Sequence, residues 1–175
     1  MRKLVLAGLV LATAATSVGA ANAGTAPGCR AAHLGARMSV LRGSAGAGQI
    51  TYVLTLRNRS PARCTISGMP GLRLLDRRGG ALPTNQRPAS PGTGTAVLVT
   101  LASGGRAYAT VRFSPDVPGP GEGTGQRCEP LAYAVRVNLP SPARGTLTAP
   151  VSPPTSVCSR GALSVGLLSS VQPRP

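Results

Sequence analysis

Apolar and polar residues alternate one for one in the three best-defined segments of this chain, and a period of two commits them to β-strands rather than helices. Over residues 49–58, Ile50, Tyr52, Leu54 and Leu56 fall on one face and Thr51, Val53, Thr55 and Arg57 on the other. Over residues 106–114 the inner set is Ala107, Ala109, Val111 and Phe113; over residues 131–138 it is Leu131, Tyr133, Val135 and Val137. Three of the four aromatic residues therefore share a phase with the aliphatic ones. Further strands are expected at 33–41, 64–67, 72–75, 95–101 and 157–167.

Turn chemistry separates these segments. Residues 42–48 are rich in Gly and Ala, Arg77-Arg78-Gly79-Gly80 has the composition of a hairpin tip, and Ala102-Ser103-Gly104-Gly105 joins two alternating runs. Seven to nine short strands with frequent turns suggest an antiparallel β-sandwich. Three segments, 83–94, 115–127 and 140–155, hold most of the proline and are expected to be long, mobile loops.

The first 23 residues have the form of an export signal. Met1-Arg2-Lys3 is basic, residues 4–12 are apolar, and Ala21-Asn22-Ala23 fits a small-x-small cleavage site, so cleavage is expected after Ala23. The apolar stretch falls short of the ~20 residues that a membrane span needs. No transmembrane segment is expected in the mature chain, residues 24–175, which would be a single domain with flexible ends. Leu, Ile, Val and Phe make up only 31 of those 152 residues, whereas Gly and Pro make up 38. Such a composition lies near the edge at which chains stop folding.

Cysteine offers a remedy. Cys29, Cys64, Cys128 and Cys158 are four thiols in an exported chain, which points to two disulfides. Pairing Cys29 with Cys64 and Cys128 with Cys158 closes the shorter loops and is the expected connectivity. No two cysteines have the close spacing of a zinc site, and the single histidine, His33, has no imidazole partner. Neither metal nor cofactor is expected.

Groups that carry chemistry are few. The acids are Asp76, Asp116, Glu122 and Glu129, placed at a turn or in and beside a Pro/Gly-rich loop rather than paired on rigid elements. A serine hydrolase would have to use His33 as its base, and no Gly-x-Ser-x-Gly turn accompanies it. The glycines of residues 119–125 lack the Gly-Lys-Ser/Thr ending of a phosphate loop. An enzyme is therefore not expected, a hydrolase being the remote alternative.

Charge is the remaining signal. Beyond residue 23 there are 17 arginines, no lysine and four acids, a balance that draws a chain to polyanions or acidic lipid surfaces. A GC-rich coding bias accounts for arginine in place of lysine but not for the shortage of acids. Arg57, Arg73, Arg112 and Arg136 occupy the outward phase of their strands and are the candidate anion-binding residues, arranged as two weakly basic faces. A surface cation–π contact is available to Tyr108 from Arg106 or Arg112. No recognition helix or multi-aromatic sheet suggests sequence-specific nucleic-acid binding.

The chain resembles DUF4232, a secreted domain-of-unknown-function family found mainly in actinomycetes. The resemblance is carried by Leu54-Thr55-Leu56-Arg57-Asn58-Arg59-Ser60, by Cys64-Thr65-Ile66-Ser67-Gly68-Met69-Pro70-Gly71-Leu72, by Leu74-Leu75-Asp76, by the glycine pairs at 79–80 and 104–105, and by Cys128 and Cys158. It implies an immunoglobulin-like sandwich, exported or membrane-tethered, with no assigned activity. Met69 and Phe113 stand where the family often has an aromatic residue and a Trp, respectively. Within the resemblance, Asn58 to Cys64 makes physical sense as a corner: Asn58 and Ser60 bond their own backbone, Pro61 ends the strand, and Cys64 pins its return. The combined expectation is a secreted, non-catalytic binding or envelope-associated module, its partner an envelope polymer or protein. The alternative is nonspecific binding of wall polymer or acidic lipid through surface arginines.

Overall fold

The structure is a computed structural model and describes residues 25–92, 94–123, 128 and 130–175. The expected export signal and Glu129 lie outside the described residues. Ten strands follow in order: β1 Leu34–Val40, β2 Ile50–Asn58, β3 Cys64–Ile66, β4 Gly71–Leu75, β5 Asn85–Pro88, β6 Val99–Leu101, β7 Arg106–Phe113, β8 Ala132–Asn138, β9 Thr146–Thr155 and β10 Ala162–Val165. Eight of them form one nearly closed, barrel-like ladder in the order β4-β8-β9-β1-β2-β7-β10-β5, and β3 pairs with β6.

The all-β class is as expected, but a wholly antiparallel arrangement is not found. β1 runs antiparallel to β2 from Leu34↔Asn58 to Val40↔Tyr52, while its other edge pairs Met38 and Ser39 in parallel with Val151 and Ser152 of β9. β10 is antiparallel to β7 and parallel to β5. Alternation along one strand records which face is buried and is indifferent to the direction of the neighbour. The parallel partners come from distant parts of the chain, as parallel pairing requires.

The core follows the alternating phases of β2 and β7. Tyr52, Leu54, Leu56, Ala107, Ala109, Val111 and Phe113 are at most 1% exposed. The Tyr52 and Phe113 rings lie 5.2 Å apart and tilted, and the Tyr52 hydroxyl donates to the Pro153 carbonyl at 3.0 Å. Burial pushes the Tyr52 hydroxyl above the usual phenol range. In β8 the expected phase fails at its start. The register shifts between Ala132 and Ala134, so Ala132, Val135 and Val137 are fully buried whereas Tyr133 is only half-buried. Across this break β8 advances two residues and β9 five, and the buried phase of β8 differs on its two sides.

Two of the three expected loops contain strands. Residues 83–94 supply β5, and residues 140–155 supply all of β9. β9 keeps Pro150, Pro153 and Pro154 because it changes partner: residues 146–150 pair with β8, and Val151 and Ser152 turn to β1. Proline lacks a donor and is tolerated where the ladder changes hands. The described part of residues 115–127 contains turns and bends but no strand. The expected strand 157–167 is broken by a tight turn, Cys158–Gly161, in which Ser159 and Arg160 take φ of 56°.

Side chains cover the open edge of β4. The Leu74 N–H donates to Thr84 Oγ1 at 3.0 Å and the Leu72 N–H to Gln86 Oε1 at 2.7 Å, which satisfies an edge that would otherwise invite another strand. Disulfides join Cys29 to Cys64 and Cys128 to Cys158. The first ties the start of the domain to β3, and the second ties residue 128 to the turn after β9. Among the described residues no helix is long and apolar enough to cross a membrane.

Candidate anion-binding site

Register on three neighbouring strands builds a cluster of arginines. Gly35 of β1 lies opposite Arg57 of β2, which lies opposite Arg106 of β7; in the next row, Arg37 lies opposite Thr55, and Thr55 opposite Tyr108. The apolar phase of β2 and β7 faces the core, so these two rows face outward. Arg59, just beyond the end of β2, is held by its N–H donating to the His33 carbonyl at 2.8 Å. A Cβ placed on Gly35 would lie 2.3 Å from Arg59 Nε. Gly35 is the second residue of β1, and its lack of a side chain opens the space in which the Arg59 guanidinium lies.

The result is a cleft of about 240 Å³ lined by Arg37, Arg57, Arg59 and Arg106 together with Gly35, Ala36 and Thr55. No carboxylate and no aromatic ring line it. Thr55 forms its floor and is 6% exposed, flanked by the stems of the longer arginines. None of the four guanidinium groups has a hydrogen-bond or ion-pair partner among the described residues.

The described acids explain the lack of compensation, because two of them serve the backbone. Asp76 Oδ1 accepts the N–H groups of Arg78 at 2.7 Å and Gly80 at 2.8 Å, closing the expected tip between β4 and the returning chain. Glu122 accepts the N–H groups of Gly119 at 2.6 Å, Ser159 at 2.7 Å and Arg160. These bonds, from Gly119 and Arg160 above all, hold its carboxyl below the usual glutamate range. Glu122 also lies near the sulfurs of Cys128 and Cys158, but these are bonded to each other and the carboxylate is occupied, so the three form no ligand set.

Of the residues singled out in the sequence, Arg57 enters the cleft and Arg112 does not. Arg112 pairs with Thr51, about 20 Å along β2 at ~3.4 Å per residue, and lines a separate shallow cavity with Arg87 and Ser164. Arg73 and Arg136 face each other directly on β4 and β8. Arg37, Arg59 and Arg106 were missed. Only Arg106 carried a usable signal, since it shares the outward phase of Arg112; the β1 register and the reach of Arg59 over Gly35 are invisible in a linear pattern. The cation–π contact forms between Arg77 and Tyr133, with the guanidinium carbon 4.7 Å from the ring centroid. His33 is exposed at the end of a single 3₁₀ turn, Ala31–His33.

The corner beside the cleft is built on Asn58, which is fully buried. Its Nδ2 donates to the carbonyls of Ala62, Leu101 and Ala102 at 2.8 to 3.2 Å, and its Oδ1 accepts the Ser60 N–H and hydroxyl, both at 2.9 Å. One side chain thus ties the end of β2 to the corner and to the β6–β7 turn.

The corner and the Cys29–Cys64 disulfide fall within residues 29–169, which match a family model, the domain of unknown function DUF4232. The chain belongs to DUF4232. The match runs from Cys29, the first bridged cysteine, through both disulfides to Ser169, whose N–H and carbonyl bond to Tyr108 beside β7. All of the cleft residues therefore belong to the DUF4232 domain. No curated protein and no solved structure matches the chain.

Proposed function

We propose that this DUF4232 chain is an exported, non-catalytic binding module of the cell envelope that engages anionic polymer through its basic surface. The observation that carries the reading is the cleft of four arginines that no described side chain neutralises. The non-catalytic part is supported by the use of Asp76 and Glu122 as backbone acceptors and by the isolated, exposed position of His33. The fold reading that goes with it is immunoglobulin-like. In it, β1-β2-β7 form one layer, β4-β8-β9 form the other, and β1 joins the two by bonding to both β2 and β9.

Fractionation of the native host tests the proposal. The expected result is recovery outside the cytoplasm with oxidised cysteines, in a wall or membrane fraction from which rising salt releases the protein steeply. Recovery in the cytoplasm with free thiols, or retention indifferent to salt, overturns it.

A further inference from the structure

Resting on the reading of a basic binding surface, we propose that the cleft formed by Arg37, Arg57, Arg59 and Arg106 is a defined site for adjacent phosphate groups of a phosphate-rich polymer. Four observations lead there. The four side chains are gathered from two neighbouring strands, the next strand's first residue, and the residue that follows β2. They lack partners among the described residues. Guanidinium forks match tetrahedral oxyanions by paired N–H donors. Four positive charges exceed what one phosphate monoester, with about two negative charges, would neutralise.

The lining also limits the ligand. No aromatic side chain lines the cleft, so the cleft itself gives a base or sugar ring no stacking surface, the nearest ring in its rows being that of Tyr108 opposite Thr55. A volume of about 240 Å³ is smaller than the roughly 300–1,000 Å³ of pockets that enclose a drug-sized molecule. The cleft therefore takes a short charged segment of something longer. The other clusters lack this combination. Arg73 and Arg136 pair on β4 and β8 away from the cleft, and the cavity at Arg112 and Arg87 brings two arginines among neutral residues.

Gly35 separates a site from a diffuse field. A Cβ at this position would strike the terminal part of Arg59 rather than backbone, so Gly35→Ala moves the guanidinium out of the cleft without altering net charge. The measurement is titration of the folded chain with inorganic tripolyphosphate at 0.15 M salt, by calorimetry and by amide NMR. One-to-one saturable binding is expected, with shifts concentrated at Gly35, Arg37, Thr55, Arg57 and Arg106. Gly35→Ala should weaken it about tenfold, the scale of one charge-assisted contact, and Arg57→Ala with Arg106→Ala by more. Arg73→Ala with Arg136→Ala, an equal loss of charge elsewhere, should change it less than about twofold.

Equal weakening by the two double variants, or no effect of Gly35→Ala in a protein of unchanged thermal midpoint, overturns the site while leaving diffuse polyanion binding in place. If Gly35→Ala unfolds the chain, the comparison of the two double variants decides alone. Binding to vesicles of one-third phosphatidylglycerol without binding to tripolyphosphate overturns the polymer assignment in favour of a lipid surface. None of these outcomes depends on where the host places the protein, so failure here is distinct from failure of the envelope assignment.

Discussion

Asn58 shows how much one buried amide can hold. Its five bonds join the end of β2, the corner of residues 59–62 and the turn before β7, and the amide itself is fully buried, as is its bond to the Leu101 carbonyl. Asn58→Ala should lower the unfolding free energy by about 2–3 kcal/mol, the cost of leaving buried polar groups unsatisfied. Asn58→Asp should cost more at neutral pH, about 3–5 kcal/mol, because an unpaired buried carboxylate would face three carbonyl oxygens. That carboxyl would have a folded pKa above its unfolded value, so the variant should regain stability as pH falls through the folded pKa, a trend that urea denaturation at several pH values would show. A loss below about 0.5 kcal/mol for both variants would contradict the hub. The local half of this role, an Asn-x-Ser corner ending a strand, was legible in the sequence. The bonds to Leu101 and Ala102 were not, because the sequence separation is 43 and 44 residues. The same limit governs the arginine site: outward phase can be read one strand at a time, but the meeting of Arg37, Arg57, Arg59 and Arg106 depends on register between strands.

Among the elements, strands with clean alternation were legible and those rich in proline were not. β2 and β7 turn their expected apolar residues to the core, although Val53 and Thr55 on the opposite face of β2 are buried as well. β9 and β5 were hidden because proline content describes a missing donor, not a missing strand, and neither a strand that changes partner, as β9 does, nor one at the end of the sheet order, as β5 is, needs every N–H. The turn between β9 and β10 depends on a contact that no local pattern announces. Glu122 reaches from the preceding Pro/Gly-rich segment to the N–H groups of Ser159 and Arg160, in the turn that the Cys128–Cys158 bridge also holds. Its folded pKa is depressed, so the stabilisation it provides is fully present above the unfolded glutamate pKa and is lost as pH falls through the lower folded value. The Ser159 and Arg160 amide resonances should move together in an acid titration with a midpoint below the ordinary glutamate range. In Glu122→Gln that titration should vanish. A midpoint at the ordinary value, or a titration that survives the substitution, would contradict the clamp.

At the scale of the molecule, two scarcities meet. Few carboxylates leave the four cleft arginines uncompensated among the described residues, and few large apolar residues leave a thin core in which Tyr52 and Phe113 form a buried aromatic pair. Net repulsion among arginines opposes compaction, and the disulfides oppose repulsion by limiting the unfolded ensemble. The bridges span sequence separations of 35 and 30 residues, for which loop-closure entropy gives about 3.5–4 kcal/mol each and measured bridges give roughly 2–4. They sit at different places, one between the start of the domain and β3 and the other at the turn before β10, so their effects should add. Replacing Cys29 and Cys64 with serine should lower stability by about 2–4 kcal/mol, and replacing Cys128 and Cys158 should do the same. Removing all four cysteines should cost about 4–8 kcal/mol, a large part of the 5–15 kcal/mol typical of a domain. The quadruple variant should therefore be largely unfolded near 37 °C, and partly restored by high concentrations of sulfate, which both screens the arginines and strengthens apolar burial. Thermal melts followed by far-ultraviolet circular dichroism, with and without sulfate, measure both effects. A quadruple variant with an unchanged midpoint would mean that the thin core suffices alone, and rescue by a neutral osmolyte but not by sulfate would mean that arginine repulsion has no part in the balance.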